Sequence, residues 1–356
     1  MKININKNVL EHMLINTQNF IEKKDSSSIT SHILMEVKNE TLTIKATDFE
    51  IGICLKTNNF KPIEEGLASA NGRKILNMVK VLKDEDLTIQ TEDNNLIILQ
   101  KDTKYKLAMF NPLEFPSFPT QDNKSRFEIN PDEFLQSIKK ISPAIDTNNP
   151  KYELNGALIN LKDDKIDFVG TDTKRLALVN IKKQIDKNLS LIIPKKAINE
   201  IQKLFFENMQ ILYDENILII KSENFTLFTK LINGKYPDYE KIIPKSLKYE
   251  LKINKDKMIE HIKQISIVSP EMKITFNNDS IIFESLNEES GEGKTKLDYI
   301  CNLNEPIYIN AYSKHILDFL TNIDENEFIL GYNDSTMPFL LKSKNFLTII
   351  MPIIIT

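Results

Sequence analysis

The sequence predicts an α+β fold: three repeated domains, each with two helices packed on antiparallel sheet. Three observations predict it. An Ile-Asn pair recurs with Asn6, Asn130 and Asn254, which are 124 and 124 residues apart. A second helical pattern follows in each third of the chain, and short β-branched runs fill the intervals. A repeat of about 120 residues is a whole domain with its own core rather than one unit of a solenoid.

Each copy opens with a strand and a capped helix. The segment KININKNVLEHML at 2–14 alternates apolar and polar residues and then switches to helical spacing, as do FEINPDEFLQSIK at 127–139 and LKINKDKMIEHIK at 251–263. Alternation with a period of two residues indicates a half-buried strand. Because Asn is a good N-cap, we predict a helix after each of the three Asn residues.

A second helix is predicted in each copy, always entered from a strand-like segment. These helices are expected at Arg73–Leu82, Lys195–Phe206 and Lys314–Leu320. The β-branched runs after them, such as LIILQK and ILIIKS, are bounded by Asp-Asn, Glu-Asn or Lys-Asn pairs, which are typical of turns.

The three copies also close alike, with Phe115-Pro116, Tyr236-Pro237 and Met351-Pro352. A connector that contains proline follows the first two, so domain boundaries are expected near 122 and 247. The predicted domains are 1–122, 123–247 and 248–356. The repeat by itself is also explained by a triplicated gene whose product forms no ring.

Composition narrows the class of protein. The chain of 356 residues is 41% hydrophobic and 27% charged, which suits a globular protein of two or three domains. The formal net charge of −4 argues against a conventional DNA-binding domain, because such domains are usually basic. Only Cys54 and Cys301 are present, so a disulfide framework is unsupported. With no signal peptide and no membrane-spanning run, a cytoplasmic location is expected.

The sequence carries little trace of catalysis. The histidines, expected to be solvated or capping, neither begin an H-E-x-x-H metal site nor neighbour a nucleophile; they are His12, His32, His261 and His315. The GEGKT segment at 291–295 resembles the end of a phosphate-binding loop, but Glu288 occupies the position of the required glycine. We expect a hairpin loop there, and no catalytic residue, cofactor, metal or enzymatic activity.

The repeated helices are more basic than the chain as a whole. The segment 71–83 carries four cations and no acid, and 195–203 carries three cations against Glu200. Lysines that merely solubilise exposed helices would explain any single case. Their recurrence predicts a shared, weakly cationic surface that contacts phosphates without reading bases.

Simple geometry tests whether such a surface can line a hole. A domain of this size is equivalent to a sphere of about 17 Å radius. Three such spheres in a closed ring leave an opening of about 5 Å, and six leave about 35 Å. Duplex DNA needs more than about 16 Å. One chain therefore cannot encircle DNA, whereas a symmetric head-to-tail pair can.

Five motifs give the chain a specific resemblance along its full length. They are LNG at 154–156, TDTKRLAL at 171–178, IIPKKAINEI at 192–201, KLINGKYPDYEKIIPK at 230–245 and IMP at 350–352. With them the chain resembles the bacterial DNA polymerase III beta subunit family, the DNA sliding clamps. The resemblance implies the DNA-clamp fold, with three clamp domains in each chain and a six-domain ring as a homodimer.

The same resemblance implies a function and its partners. The ring would encircle duplex DNA without sequence specificity, after an ATP-driven clamp loader has placed it there. It would tether the alpha subunit of DNA polymerase III and other proteins that carry a clamp-binding motif. The clamp itself would make and break no covalent bond.

A partner-peptide pocket between the middle and last domains is part of that resemblance. Its matching positions in the middle domain and the connector after it are Leu154, Thr171, Thr173, Lys174, Arg175, Leu176, Pro237, Lys241 and Ile242. Those near the chain end are Thr336, Pro338, Ile349, Met351, Pro352 and Ile353. An apolar floor of Leu, Ile, Met and Pro suits the aliphatic and aromatic anchors of a short peptide, and the polar Thr171 could fix its orientation.

The chain departs from the family pattern in two places. Thr173-Lys174 stands where the family commonly has Gly-His, and Ile354-Ile355-Thr356 replaces a common tail that contains Arg. Both departures bear on which peptides the pocket prefers.

The resemblance also implies DNA contacts and a subunit contact. The DNA-facing positions are Lys24, Arg73, Asn149, Tyr152, Lys195 and Lys196. In the subunit contact, Tyr105 and Leu107 of the first domain would meet Ile267 and Val268 of the third domain of the partner. Apolar side chains buried there would not be left exposed on a loop.

Two other functions compete with the clamp. A non-encircling scaffold of three domains could use the same apolar pocket without any DNA partner. An enzyme is the third hypothesis, and it lacks a set of acid, base, nucleophile or metal ligands.

Overall fold

A computed structural model describes residues 1–162, 164–184, 188–205, 208–286 and 291–354. Four residues named above lie outside these ranges: Phe206, Glu288, Ile355 and Thr356.

The first repeat forms two helices and two antiparallel sheets. The helices are α1 (Lys7–Thr17) and α2 (Gly72–Lys80). The strands are β1 (Lys2–Asn6), β2 (His32–Lys38), β3 (Thr41–Thr47), β4 (Ile51–Thr57), β5 (Lys61–Glu64), β6 (Gly66–Asn71), β7 (Asp86–Glu92), β8 (Asn95–Gln100) and β9 (Thr103–Ala108). One sheet has the order β5-β1-β7-β8-β9, and the other contains β6-β2-β3-β4.

The second repeat has the same plan. Its helices are α3 (Pro131–Ile141) and α4 (Lys195–Leu204). Its strands are β10 (Ser125–Phe127), β11 (Gly156–Lys162), β12 (Lys165–Thr171), β13 (Arg175–Lys182), β14 (Leu189–Pro194), β15 (Gln210–Tyr213), β16 (Ile217–Lys221) and β17 (Phe225–Lys230). They pair in the orders β10-β15-β16-β17 and β14-β11-β12-β13.

The third repeat again follows this order. Its helices are α5 (Lys255–Ser266) and α6 (Ser313–Leu320). Its strands are β18 (Tyr249–Asn254), β19 (Glu271–Phe276), β20 (Ser280–Ser285), β21 (Lys294–Asp298), β22 (Ile307–Tyr312), β23 (Glu327–Tyr332), β24 (Phe339–Ser343) and β25 (Phe346–Ile350). They pair in the orders β18-β23-β24-β25 and β22-β19-β20-β21. The predicted α+β fold in three copies is therefore confirmed.

The three Asn residues start the first helix of each repeat, as predicted. Asn6 Oδ1 accepts a hydrogen bond from the Asn8 amide at 3.0 Å, and Asn254 Oδ1 accepts from the Lys257 amide at 3.1 Å. Asn130 Oδ1 accepts from the Asp132 amide at 2.9 Å. Each cap satisfies a helix N–H that has no partner within the helix. The second helices also lie where the sequence predicts them.

Two of the sheets run on from one repeat into the next. Strand β17 pairs antiparallel with β4, and β25 pairs antiparallel with β13, so each junction is an eight-stranded sheet. Accordingly the chain falls into two compact units, Met1–Asp132 with Glu200–Leu231, and Glu133–Asn199 with Ile232–Thr356. The middle repeat is shared between these units, because each of its sheets continues into a neighbouring repeat. The domain boundaries near 122 and 247 stay a prediction.

Several chemical features of the chain bear on its class. Both cysteines are free and buried. Among the described residues, no helix is long and apolar enough to cross a membrane, and no cluster of three His, Cys, Asp or Glu side chains is arranged to hold a metal ion. The GEGKT segment leads into β21, which pairs with β20, so it enters a strand rather than a helix.

The expectation that the histidines are solvated or capping is wrong for His32. This residue begins β2, is 5% exposed, and stacks on the Phe110 ring at a centroid distance of 4.2 Å. Burial lowers the pKa of His32 to about 4, and the positive charge of Lys74 acts in the same direction. The imidazole is therefore neutral in the folded protein at neutral pH.

The buried His32 predicts that the folded protein loses stability in mild acid. Between pH 6.5 and pH 4 the unfolded chain binds the proton that the folded chain refuses, so the free energy of unfolding falls as the pH is lowered through this window. We expect a loss of about 1–2 kcal/mol from this residue at pH 5 relative to pH 7. Urea unfolding at the two pH values measures it. The loss should be smaller in His32→Gln, and an equal loss in both proteins would contradict the assignment.

Candidate functional site

The second compact unit contains an apolar floor built from both of the repeats that meet in its sheet. Three of the predicted pocket residues, Leu154, Leu176 and Ile349, belong to one buried cluster and are each at most 2% exposed. The other buried members are Leu158, Val169, Leu178, Ile192, Ile232, Tyr236, Tyr239 and Leu340. The structure thus brings together residues that are up to 195 positions apart in the chain.

Strand pairing explains why these residues meet. Leu176 of β13 lies directly opposite Ile349 of β25. Side chains directly opposite each other on one face of an antiparallel pair are about 5 Å apart at Cβ. The junction sheet therefore forms the floor, and the segments that leave its strands form the rim.

Around this floor the predicted pocket residues become more exposed. Met351 is 45% exposed and Ile242 is 43% exposed. The other exposed positions are Thr173, Lys174, Lys241 and Thr336, and the half-buried ones are Pro237, Pro338, Pro352 and Ile353. A buried apolar floor under a half-exposed rim of Pro, Met and Ile is the arrangement that peptide pockets use.

The turn between β12 and β13 is held by its own side chains. Thr171 Oγ1 donates to the Arg175 carbonyl at 2.6 Å and accepts from the Thr173 amide at 3.2 Å. Asp172 Oδ1 accepts from the amides of Lys174 and Arg175 at 3.1 and 3.0 Å. The Thr171 hydroxyl is thus engaged within the turn.

Thr173 has a backbone φ of +71° within this turn. A β-branched residue is a genuine outlier in this left-handed region, which glycine enters at no steric cost. By the resemblance described in the sequence analysis, this is a position at which Gly would be common. The departure noted in the sequence therefore falls where the backbone geometry most favours glycine.

The C-terminal segment is tied to the same turn. The Met351 amide donates to the Lys174 carbonyl at 2.9 Å, and the Ile353 amide donates to the Asn310 carbonyl at 2.9 Å. The Lys174 ammonium lies 5.4 Å from the centre of the Tyr312 ring, within cation–π distance. Met351 and Ile353 are therefore held by backbone hydrogen bonds that they donate to the turn before β13 and to strand β22.

The connector after the middle repeat is anchored by Tyr239. Its hydroxyl donates to Asp167 Oδ2 at 2.7 Å and accepts from Asn160 Nδ2 at 3.0 Å. Burial raises the pKa of both Tyr239 and Tyr236. The Tyr236 hydroxyl is buried in the floor and has no hydrogen-bond partner among the described residues. Lys241, farther along, pairs with Asp238 at 2.9 Å.

The corresponding junction in the first unit pairs different side chains. There Gly52 of β4 lies opposite Phe228 of β17, where the second unit has Leu176 opposite Ile349. A Cβ atom at Gly52 would collide with the Phe228 ring, which also contacts Phe118 edge-on at 4.9 Å. The chain's own aromatic rings therefore fill the equivalent position.

The predicted DNA-facing residues are distributed over both units. In the first unit, Lys24 and Arg73 are exposed, and Arg73 lies in the first turn of α2. In the second unit, Tyr152 is 67% exposed, and Lys196 is exposed in the first turn of α4. These four side chains are accessible to a phosphate backbone in each unit taken by itself.

Asn149 and Lys195 are engaged in local hydrogen bonds. Asn149 donates through Nδ2 to Asp146 Oδ2 at 2.9 Å and accepts the Lys151 amide at 2.9 Å. The Lys195 ammonium donates to the Ile145 carbonyl. Burial lowers the pKa of Lys195, and the negative charge of Asp146 opposes that shift. These two residues shape the loop before β11.

The residues predicted for the subunit contact lie beside strands at sheet edges. Tyr105 and Leu107 are on β9, the edge of its sheet; Tyr105 is half-buried and Leu107 is 7% exposed. Ile267 follows α5 and is 87% exposed. The Val268 side chain lies beside Gly293, one residue before the edge strand β21. Ile267 is the apolar side chain here that an interface would shield.

Sequence reasoning missed part of this site. Tyr236, Tyr239 and Leu340 belong to the floor, and only their apolar character and the YPDY motif could have indicated it. Asp318 of α6, which bonds Arg175, carries no sequence signal, because the two are 143 positions apart.

Comparison with known proteins gives consistent matches along the chain. Models of three consecutive domains of the DNA polymerase III beta subunit match it: the N-terminal domain at residues 1–119, the central domain at 128–238 and the C-terminal domain at 240–353. The beta sliding clamp of Helicobacter pylori (strain J99) is 39% identical over 305 residues, 84% of this chain and 82% of that protein. The beta sliding clamp of Buchnera aphidicola (subsp. Rhopalosiphum padi) is 27% identical over 325 residues, 88% of each.

Solved structures agree with these matches. The Helicobacter pylori beta clamp bound to a DNA ligase peptide superimposes with a TM-score of 0.94 at 37% identity, covering 99% of this chain and 100% of that one. The DNA polymerase III subunit beta from Pseudomonas aeruginosa superimposes with a TM-score of 0.90 at 21% identity, covering 100% of both, which is a likeness of fold.

Proposed function

Because this chain belongs to the DNA polymerase III beta subunit family, the beta sliding clamps, we propose that two copies close head to tail into a ring around duplex DNA. The protein is a sliding clamp of DNA replication that tethers DNA polymerase and other DNA-handling proteins. The ring holds DNA by enclosure and without sequence specificity. The alternative, a scaffold that does not encircle DNA, is not favoured.

The observation that best supports the two-chain ring is the pattern of strands at the sheet edges. Within the chain, the last strand of one repeat pairs with an edge strand of the repeat before it. Strand β17 of the second repeat pairs with β4 of the first, and β25 of the third repeat pairs with β13 of the second. The same rule leaves β9 of the first repeat and β21 of the third as sheet edges. Exposed edges are templates for pairing with another chain. Pairing β9 of one copy with β21 of another repeats the internal junction and closes two chains into six domains.

The subunit contact proposed from the sequence fits these edges. Tyr105 and Leu107 are on β9, while Val268 lies beside Gly293, the residue before β21, and Ile267 precedes Val268 in the chain. Since Leu107 is already largely buried in its own subunit, it contributes through the backbone of its strand, and Ile267 contributes the most newly buried apolar area.

The partner-peptide pocket is the apolar floor with its rim in the second unit. The Leu154, Leu176 and Ile349 side chains receive the apolar anchors of the peptide, and Met351, Pro352, Ile353 and Ile242 close around them. The remaining rim positions are Thr173, Lys174, Pro237, Lys241, Thr336 and Pro338. Thr171 and Arg175 shape the pocket wall through their hydrogen bonds to the turn. The DNA ligase peptide on the Helicobacter pylori clamp supports a partner of this chemistry.

The contact with DNA is electrostatic and weak. Lys24, Arg73, Tyr152 and Lys196 are exposed to meet phosphates, while Asn149 and Lys195 hold the loop near them. A few cations spread over a chain of formal net charge −4 give little grip, which suits a ring that must slide. The clamp acts in the cytoplasm, is opened by a loader, and itself makes and breaks no bond.

A topological experiment tests the ring. The protein is loaded with its clamp loader onto a nicked circular plasmid, and the plasmid is then linearised. We expect nearly all of the protein to leave the linear DNA by sliding off the ends and to stay on the circular control. Retention on the linear DNA would favour a surface binder and contradict enclosure.

A further inference from the structure

We propose that Asp318, on helix α6, is a positioning residue of the partner pocket that acts through Arg175; the inference rests on the pocket proposed above. The Arg175 Nη1 donates to Asp318 Oδ2 at 2.7 Å. This bond joins the wall of the pocket in the middle repeat to a helix of the third repeat.

The Arg175 guanidinium is buried and donates its hydrogen bonds to acceptors within the protein. Its side chain is 5% exposed. Besides the bond to Asp318, Nε donates to Asp172 Oδ2 at 3.0 Å, and Nη2 donates to the Pro143 carbonyl. All three nitrogens therefore have internal acceptors. A bound peptide meets the turn that Arg175 holds rather than the guanidinium itself.

The turn at residues 172–175 contacts both the floor and the rim of the pocket. Leu176, the next residue, is in the floor, and the Lys174 carbonyl accepts the amide of Met351 in the rim. Thr173, the residue before Lys174, has a positive φ. A strained backbone of this kind persists only where the surroundings over-determine it. The position of Arg175 therefore decides where floor and rim stand relative to each other.

The first repeat provides an internal comparison. Its turn at Thr47–Ile51 repeats the bonds: Thr47 Oγ1 donates to the Ile51 carbonyl at 2.9 Å and accepts from the Phe49 amide at 3.0 Å. Asp48 Oδ1 accepts from the Ile51 amide at 3.0 Å. Phe49 also has a positive φ, of +73°. Here the position of Arg175 is taken by a buried Ile51. The turn thus forms with an apolar side chain at this position. We infer that the Arg175 guanidinium serves the placement of its turn rather than the formation of the turn.

Asp318 balances the positive charges near Arg175. Asp318 Oδ2 also accepts from the Lys314 ammonium at 2.7 Å, so one carboxylate balances two cations. Burial, with the positive charge of Arg175, lowers the pKa of the adjacent His315 to about 4, so that ring adds no charge at neutral pH. Removing one partner from a buried ion pair leaves a charge without compensation. Without Asp318, Arg175 keeps Asp172 as its charged partner and the Pro143 carbonyl as an acceptor, but it no longer ties the turn to α6.

Asp318→Asn in the full-length protein tests this role. The probe is the DNA ligase peptide that the Helicobacter pylori clamp binds, fluorescently labelled, with its Kd measured by anisotropy. We expect the Kd to rise about tenfold, as for loss of one charged hydrogen bond. Amide hydrogen exchange should become faster at residues 172–175 and stay unchanged at the matched turn 48–51.

Glu325→Gln is the matched control. Glu325 is another paired carboxylate of the third repeat, bonded to Ser343 and Lys344, and hydrogen bonding from Lys344 lowers its pKa to about 2. The control should bind the peptide within about twofold of the unchanged protein. Asp318→Glu keeps the charge but shifts the carboxylate by one methylene, and an intermediate Kd is expected. If Asp318→Asn does not fold, Asp318→Glu decides the question.

The outcomes separate the inference from the pocket itself. Faster exchange at 172–175 with an unchanged Kd overturns the positioning role. Faster exchange at both turns overturns it as well, because that result indicates general destabilisation. If the wild-type protein does not bind the peptide, the proposed pocket is overturned, and the inference with it. Equal binding by the unchanged protein and by Asp318→Asn overturns the inference alone.

Discussion

Ile267→Asp is expected to leave the protein monomeric in solution and unable to remain on circular DNA. Ile267 is 87% exposed in the single chain, and its neighbour Val268 lies beside Gly293, which precedes the edge strand β21. We propose that β21 pairs with β9 of a second copy. Ring closure would bury a carboxylate at this position without a partner, which costs several kcal/mol. The full loss of the dimer is expected because a ring of two chains needs both junctions at once. Light scattering measures the change directly.

A matched substitution controls for a new surface charge. Ile300 lies in the same repeat and is 73% exposed. It is two residues past the end of β21, at the opposite end of that strand from Val268, and it is not among the side chains proposed for the contact. Ile300→Asp is therefore expected to remain dimeric. A dimer that survives Ile267→Asp would refute the interface, and a monomer in both variants would mean that any added charge disrupts assembly.

Deletion of residues 351–356 is expected to abolish stimulation of the polymerase while leaving the dimer intact. The deletion removes three rim residues, Met351, Pro352 and Ile353, and it also removes the backbone bond from Met351 to the Lys174 carbonyl. Few residues carry most of the binding energy at such sites, so losing one wall of the pocket should reduce stimulation to the level without clamp. Primer extension on a circular template measures this.

Two further measurements give this experiment its control. Light scattering should report the same mass for the truncated and full-length proteins, and both should load onto nicked circular DNA. A truncated protein that is monomeric would show that the tail supports assembly. A truncated dimer that stimulates the polymerase normally would place the pocket elsewhere.

The repeat itself could be predicted closely. The alternation after Met1 and the Asn caps are local patterns. The alternation corresponds to strand β1, and the Asn6 cap corresponds to the start of helix α1. The turns at Thr47–Asp48 and Thr171–Asp172 also form alike in the structure, because the same short side chains bond the same backbone groups. Such features depend on neighbours a few residues away, so a single sequence contains them.

The surroundings of the pocket could not be predicted in the same way. The burial of His32 against Phe110 and the bond from Arg175 to Asp318 join residues far apart in the chain. No local pattern marks such partners. The resemblance to a family indicated which residues are near the pocket, but only the packing separated the buried floor from the exposed rim.

By itself, the sequence determined that one α+β unit occurs three times, because period and capping are properties of consecutive residues. The tertiary structure alone decided that the sheets continue through the repeat junctions and that β9 and β21 remain as edges. It also decided that Phe228 lies opposite Gly52 at one junction, whereas Leu176 lies opposite Ile349 at the other. The reason is physical: strand pairing between repeats depends on backbone hydrogen bonds, which every residue type except proline can make and which therefore leave little mark on the sequence.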